Sequence, residues 1–321
     1  MNNNAFVPPD QVRTVACIGA GVIGGGWVAH FLARGYDVVM WDPAPDSADK
    51  VRRLVDNAWP TLVELGLAPG ASPDRLRIAP TLEAAVAQAD FVQESAPEIL
   101  EVKIDLLSRI DAAAPPNIVI SSSTSGYSMT EMQVEADHPD RLVVGHPFNP
   151  PYLVPLVEVV GGEKTSSDAA TWTAEFFTLT GKSVIKMDKE VPGFIANRLQ
   201  EALWREALHM IAAGEATVGQ IDQAVIDGPG LRWPFHGPVT TFHLAGGEGG
   251  MAHALDHFGP SLEYPWSRLS SPPLTDDLKA ALVEGVRENT DDRPISELIR
   301  ERDSSMVAVI HALQSLRGTV S

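Results

Sequence analysis

The chain has 321 residues, 44% of them hydrophobic, which is enough for one large domain or two ordinary ones and too apolar for wholesale disorder. Its 42 acidic and 24 basic residues leave a formal charge of −18. That balance opposes nucleic acid, whose phosphates need basic surface, and favours a cationic small molecule. No run of about 18 uncharged apolar residues is present, so no membrane partner is expected. The opening stretch MNNNAFVPPDQVRTVACIG lacks the basic start and apolar run of a secretory leader. A single cysteine, Cys17, sits in an apolar run and forms no internal disulfide, so a cytoplasmic location is expected.

Along the first half, short apolar runs alternate with helical patterns. RTVACIGAG reads as a strand into a turn, GGGWVAHFLARG as a helix stopped at Gly35, and YDVVMWD as a second strand. A helical stretch SADKVRRLVDNAWPTLVELGL follows, in which Pro60 predicts a break or kink. RLRIAP, DFVQES and NIVISSST continue the strands, with a short helix opened by Thr81 and a longer one over EVKIDLLSRIDAAA between them. RLVVGHPF, PLVEVVGG and KSVIKM add three more, the last preceded by the helix DAATWTAEFFTLTG. Strands alternating with helices predict an α/β fold, a Rossmann-like doubly wound parallel sheet. After Pro192 and Gly193 the pattern turns helical to the end. The expected division is an NAD-binding domain over 1–190 and an all-α substrate and dimerisation domain over 191–321.

The turn after the first strand reads GAGVIG: Gly19, Ala20, Gly21, Val22, Ile23, Gly24. A first glycine permits the tight turn, a second lets backbone approach a pyrophosphate, and a third packs helix on strand. The helix start then offers unpaired N–H groups to the phosphates. Asp42 ends the second strand at the spacing expected of a ribose-binding acid, and Pro43 and Ala44 follow it rather than arginines, so the expected cofactor is NAD rather than NADP. Taken alone, such a motif also fits an ordinary strand-to-helix turn with a surface aspartate.

His146 ends one apolar run and Glu158 lies inside the next. An imidazole at a strand tip, held by a buried carboxylate, suits removal of a hydroxyl proton as hydride leaves the carbon. On the residues alone a structural buried pair is an equal reading. His253 and His257 share a helix face without a third ligand at a convincing spacing, so no metal is expected. No GxSxG elbow surrounds Ser125, which counts against a serine hydrolase.

At GHPFNP, LVEVV and VPGFIANRL the chain resembles the 3-hydroxyacyl-CoA dehydrogenase family, collinearly from the glycine motif to about residue 240. The resemblance implies a Rossmann-like domain, a helical domain that holds a homodimer, and NAD-dependent oxidation of a 3-hydroxyl. It makes His146 the general base, Glu158 its partner, and Asn197 and Ser125 the groups that hydrogen-bond the substrate oxygen. It places Glu98, Lys103 and Asn149 beside the cofactor.

The sequence departs from the thioester-specific pattern at GPGLRWPFHGP, where Arg232 and Trp233 stand. An arginine grips a free carboxylate bidentately, and a thioester offers none there. Aromatic faces hold an ammonium that cannot donate hydrogen bonds. The expected partner is therefore a small zwitterionic 3-hydroxy acid, with a sugar acid or a CoA thioester as alternatives, and a non-catalytic NAD-sensing or structural protein as a third. The expected substrate contacts are Arg232, Trp233, Phe148, Ile195, Ala196 and Phe258, with Phe235, Tyr264 and Trp266 as further aromatic candidates, although packing is the commoner fate of any one aromatic.

Overall fold

The computed structural model describes residues 6–234, 236–260, 267, 270 and 273–318. Contacts divide the chain into two compact units, Met1–Asn197 and Arg198–Ser321.

The first unit is built on an eight-stranded sheet. In chain order it runs β1 (Thr14–Ile18), α1 (Val22–Ala33), β2 (Asp37–Trp41), α2 (Ser47–Leu65), β3 (Leu76–Ile78), α3 (Leu82–Val86), β4 (Phe91–Glu94), α4 (Leu100–Ala113), β5 (Val119–Ser122), α5 (Met129–Met132), β6 (Leu142–Pro147), β7 (Leu156–Gly161), α6 (Ser167–Leu179) and β8 (Ser183–Met187). The spatial order is β3-β2-β1-β4-β5-β6-β7-β8. The central strands β4, β5 and β6 are buried at every residue, as strands covered on both faces must be. Successive side chains on β1 go to opposite cores. Val15 and Cys17 join Trp27 and Phe31 of α1 and Phe176 and Phe177 of α6, while Ala16 and Ile18 join Leu107 and Ile110 of α4. Rings pack densely on the first face: Trp27 stacks 5.3 Å from Phe31, and Phe91 lies tilted 4.6 Å from Phe176. Each such ring contributes about 1.5–3 kcal/mol by burial.

Parallel pairing holds from β3 across to β6, but β7 runs antiparallel to β6 and parallel to β8. The cause is local. Residues 148–155 join β6 to β7 without a crossover helix, and a short connection reverses the strand. Helix α2 continues through Pro60, where the sequence predicted a break or kink, so the helix does not break there. Pro60 and Asp56, the residue whose carbonyl loses its donor, are both exposed, so water can take the freed oxygen.

In the second unit α7 (Ala196–Ala212), whose first two residues belong to the first unit, leads to α8 (Val218–Asp227), α9 (Pro238–Ala245), α10 (Gly250–Phe258), α11 (Asp276–Asn289) and α12 (Ile295–Gly318). No strand occurs among its described residues. Helix α7 starts at Ala196 rather than directly after Gly193, because Gly193 (φ +70°) and Phe194 (φ +52°) both take the left-handed conformation. No helix of the described residues is long and apolar enough to cross a membrane.

Candidate active site

The β1–α1 turn has the shape that its glycines predict. Gly19 has φ +106°, a backbone that side chains resist. A Cβ on Gly24 would sit 1.9 Å from the Gly19 carbonyl oxygen, so helix and turn touch there, whereas a Cβ on Gly21 would meet nothing within 4 Å. The space over Gly21 is open to a ligand. No side chain caps the start of α1, leaving its first N–H groups for an anion. Ala20 is buried, Ile23 half-buried and Val22 exposed. Asp42 is half-buried, and it accepts from the Ala20 N–H through Oδ2 at 2.7 Å and from the Ala44 N–H through Oδ1 at 2.8 Å. Its carboxylate is thus fixed at the tip of β2, beside the turn. This arrangement of open glycine, uncapped helix start and fixed acid fits a dinucleotide.

Three and four strands from β1 in the same sheet, His146 on β6 and Glu158 on β7 are register partners. His146 Nδ1 lies 2.9 Å from Glu158 Oε2. The other oxygen, Oε1, accepts from the backbone N–H groups of Ile195 at 2.9 Å and Ala196 at 3.0 Å, at the start of α7. Burial pushes the Glu158 carboxyl up, but the hydrogen bonds from His146, Ala196 and Ile195 outweigh it and hold the group below the usual carboxylate range. A carboxylate here accepts, so Nδ1 carries the proton and Nε2 keeps its lone pair. The Asn197 amide nitrogen lies 3.5 Å from Nε2 and donates to the Ser125 carbonyl at 3.0 Å. Phe148 and Phe194 flank the imidazole, at ring distances of 5.2 and 5.1 Å.

Ser125 is held from below. Glu98 Oε1 accepts from the Thr124 hydroxyl at 2.7 Å and from the N–H groups of Ser125 and Gly126 at 2.9 and 3.1 Å. Lys103 Nζ reaches Glu98 Oε2 at 3.5 Å and Glu94 Oε1 at 3.0 Å. Lys103 is buried in this position, and Ser122 closes on the other oxygen of Glu94. Asn149 is exposed beside Phe148.

Within the first unit, then, His146, Glu158, Asn197, Ser125, Phe148, Ile195 and Ala196 come together, and Ile195 and Ala196 do so through backbone N–H groups rather than as apolar lining. Arg232, Trp233 and Phe258 belong to the second unit. Arg232 is exposed and Trp233 half-buried in the turn after α8, and Phe258 closes α10 with its ring 4.7 Å from that of His257. Phe235, Tyr264 and Trp266 lie outside the described residues. Among the described residues no three His, Cys, Asp or Glu side chains gather around a metal position. Sequence reasoning missed Phe194 and Thr124. The Pro-Gly before Phe194 was a signal for an unusual backbone, whereas nothing marked Thr124 among its neighbouring serines.

Comparison with known proteins adds the following. The model of the 3-hydroxyacyl-CoA dehydrogenase NAD binding domain matches residues 14–191, and that of the 3-hydroxyacyl-CoA dehydrogenase C-terminal domain matches residues 193–282. An L-carnitine dehydrogenase of Streptomyces coelicolor is 66% identical over 95% of this chain and 96% of its own. One from Pseudomonas putida is 51% identical over 96% of both. Among solved structures, 5-formyl-3-hydroxy-2-methylpyridine 4-carboxylic acid 5-dehydrogenase, an NAD+-dependent dismutase, superposes with a TM-score of 0.83 at 28% identity, covering 95% of this chain and 99% of that one.

Proposed function

We propose that this chain, which belongs to the 3-hydroxyacyl-CoA dehydrogenase family, oxidises the 3-hydroxyl of L-carnitine to 3-dehydrocarnitine with NAD. The dehydrogenase chemistry and the cofactor come with the family. The substrate reading is supported by similarity, at 50–66% identity, to L-carnitine dehydrogenases.

The observation that carries the mechanism is the His146–Glu158 pair in strand register, with Nε2 turned to Asn197. His146 Nε2 takes the proton of the 3-hydroxyl. Glu158 holds the proton on Nδ1 and stabilises the imidazolium that forms, without itself becoming protonated. Asn197, anchored on the Ser125 carbonyl, and the exposed Ser125 hydroxyl donate to the substrate oxygen as the ketone develops. NAD, when bound, would supply the acceptor for the C3 hydride. Residues 19–24 would receive its pyrophosphate, Asp42 its adenosine ribose, and Glu98, Lys103 and Asn149 would border its nicotinamide half; Lys103 would do so through Glu98, being buried itself. In the second unit Arg232 is the clamp for the carboxylate, and Trp233 and Phe258 are aromatic contacts for the trimethylammonium; in the first unit Phe148 is a further aromatic contact, and Ile195 and Ala196 contribute by fixing Glu158.

Residues 1–190 serve cofactor binding in this reading, and 191–321 serve substrate binding and dimerisation. The homodimer is supported by large apolar side chains left exposed on α7, among them Leu203 and Trp204 at 48% and 54%. A cytoplasmic location is supported by the single, buried cysteine. NADH formation with purified protein and L-carnitine, D-carnitine, L-gulonate or 3-hydroxybutyryl-CoA tests the substrate. Turnover of L-carnitine far above the others is expected. Preference for the sugar acid or the thioester would overturn the substrate and leave His146 in place.

A further inference from the structure

Lys182 stands between α6 and β8, 7% exposed, and takes no part in the chemistry above. A buried ammonium needs a partner, yet among the described residues no carboxylate lies within ion-pair distance of it. Its partners are backbone carbonyls. Nζ donates to the oxygen of Pro151 and to that of Val154, the latter at 3.2 Å, and it sits 5.1 Å over the ring of Trp27. The charged or titratable neighbours that bear on it are His30 on α1 and Arg34 directly after that helix. Burial, and then the Arg34 charge, push the Lys182 ammonium down to about 7.

The two carbonyls belong to residues 148–155, the link between the strand that carries His146 and the strand that carries Glu158. That link begins with Phe148, whose ring lies against His146, and with Asn149. Within it the N–H groups of Leu153 and Val154 turn back on the Pro150 carbonyl, and Ser183 donates to that of Pro155. On its other side Pro151 presses on α1, where a Cβ at Gly26 would lie 2.5 Å from Pro151 Cδ. Trp27, under the ammonium, is the next residue of that helix and also donates to Ser123 at the end of β5. One side chain therefore ties the link to the helix whose first turn faces the dinucleotide.

We infer that Lys182 is a positioning residue, which through the Pro151 and Val154 carbonyls sets the link between β6 and β7 so that Phe148 and Asn149 stand correctly beside His146. It touches neither substrate nor cofactor. The catalytic part of this inference rests on the reading of His146 as the base; the structural part does not.

Lys182→Met keeps the stem and removes the donors. Hydrogen exchange of the apo protein reads the link directly and needs no substrate. The Leu153 and Val154 amides are expected to exchange at least about 10-fold faster in the variant, with β1 and β4 unchanged. In the assay with L-carnitine, kcat is expected to fall about 10-fold while the Kd of NAD moves less than about 3-fold, and Lys182→Arg, which keeps the charge and several donors, is expected to recover part of kcat. Equal exchange at Leu153 and Val154 in variant and parent would overturn the inference. So would an unchanged kcat in a parent that turns over L-carnitine. If both variants fail to fold, Lys182 serves folding alone and the inference falls. A parent inactive on L-carnitine counts against the proposed substrate, and the exchange result then decides the positioning role by itself.

Discussion

His146 and Glu158 stand directly opposite one another in the antiparallel pair of β6 and β7, and that register brings Nδ1 to 2.9 Å from Oε2. The pair is a product of the reversed strand. A one-residue slip would turn Glu158 to the other face of the sheet. The hydrogen bonds on Oε1 from Ile195 and Ala196 then fix the carboxylate from the α7 side as well.

Glu158→Gln preserves the shape but removes the charge that holds the imidazole tautomer. We expect kcat to fall at least about 100-fold with the Kd of NAD little changed, measured by steady-state kinetics and cofactor titration. Loss of NAD binding in proportion to kcat would mean that Glu158 serves the fold of the site rather than the base.

The same residue predicts an acid limb of stability. Its folded carboxyl titrates below the unfolded value, so its stabilisation is present above about pH 4.3 and is lost as pH falls through the folded value. Thermal melts taken downward from pH 5 should therefore steepen more in the parent than in Glu158→Gln. Parallel curves would remove this group from the acid transition.

Two glycines separate folding from binding. A Cβ at Gly24 meets the Gly19 oxygen at 1.9 Å, so Gly24→Ala should destabilise the first unit by about 1–3 kcal/mol in denaturant melts. A Cβ at Gly21 meets nothing within 4 Å, so Gly21→Ala should melt like the parent yet bind NAD at least about 10-fold more weakly. Unaltered NAD affinity in Gly21→Ala would place the pyrophosphate elsewhere.

Asp42 is held by the Ala20 and Ala44 amides at the end of β2. Asp42→Ala should lower kcat/KM with NAD and raise the NADP-to-NAD ratio by about 10-fold or more, since a carboxylate repels the 2′-phosphate. An unmoved ratio would assign ribose reading to another residue.

Arg232→Ala should raise KM for L-carnitine at least about 10-fold through loss of a charge-assisted contact to its carboxylate. An unchanged KM would dismiss Arg232 as the clamp.

The parts of this site that the sequence made legible are those whose chemistry is written in residue type and spacing. Gly19, Gly21, Gly24 and Asp42 lie on one strand–turn–helix–strand unit, and His146 and Glu158 interrupt runs that are otherwise apolar. What stayed hidden depends on tertiary placement. Periodicity gives a strand without its direction, so the reversal at β7 was not visible. The resemblance places Lys103 beside the cofactor, yet its side chain is 1% exposed and paired with Glu94 and Glu98. Ile195 reads as an apolar wall, although its N–H is what reaches Glu158. Phe194 takes the left-handed conformation, which bulky side chains disfavour, with its ring beside that of His146.

The most direct measurement is the initial rate of NADH formation from NAD and L-carnitine by the parent and by His146→Ala, with NAD affinity determined for both. The account predicts turnover by the parent, a loss of at least about 1,000-fold in the variant, and NAD affinities that agree within about 3-fold. Near-parental turnover by His146→Ala would contradict it, because proton removal would then belong to another group.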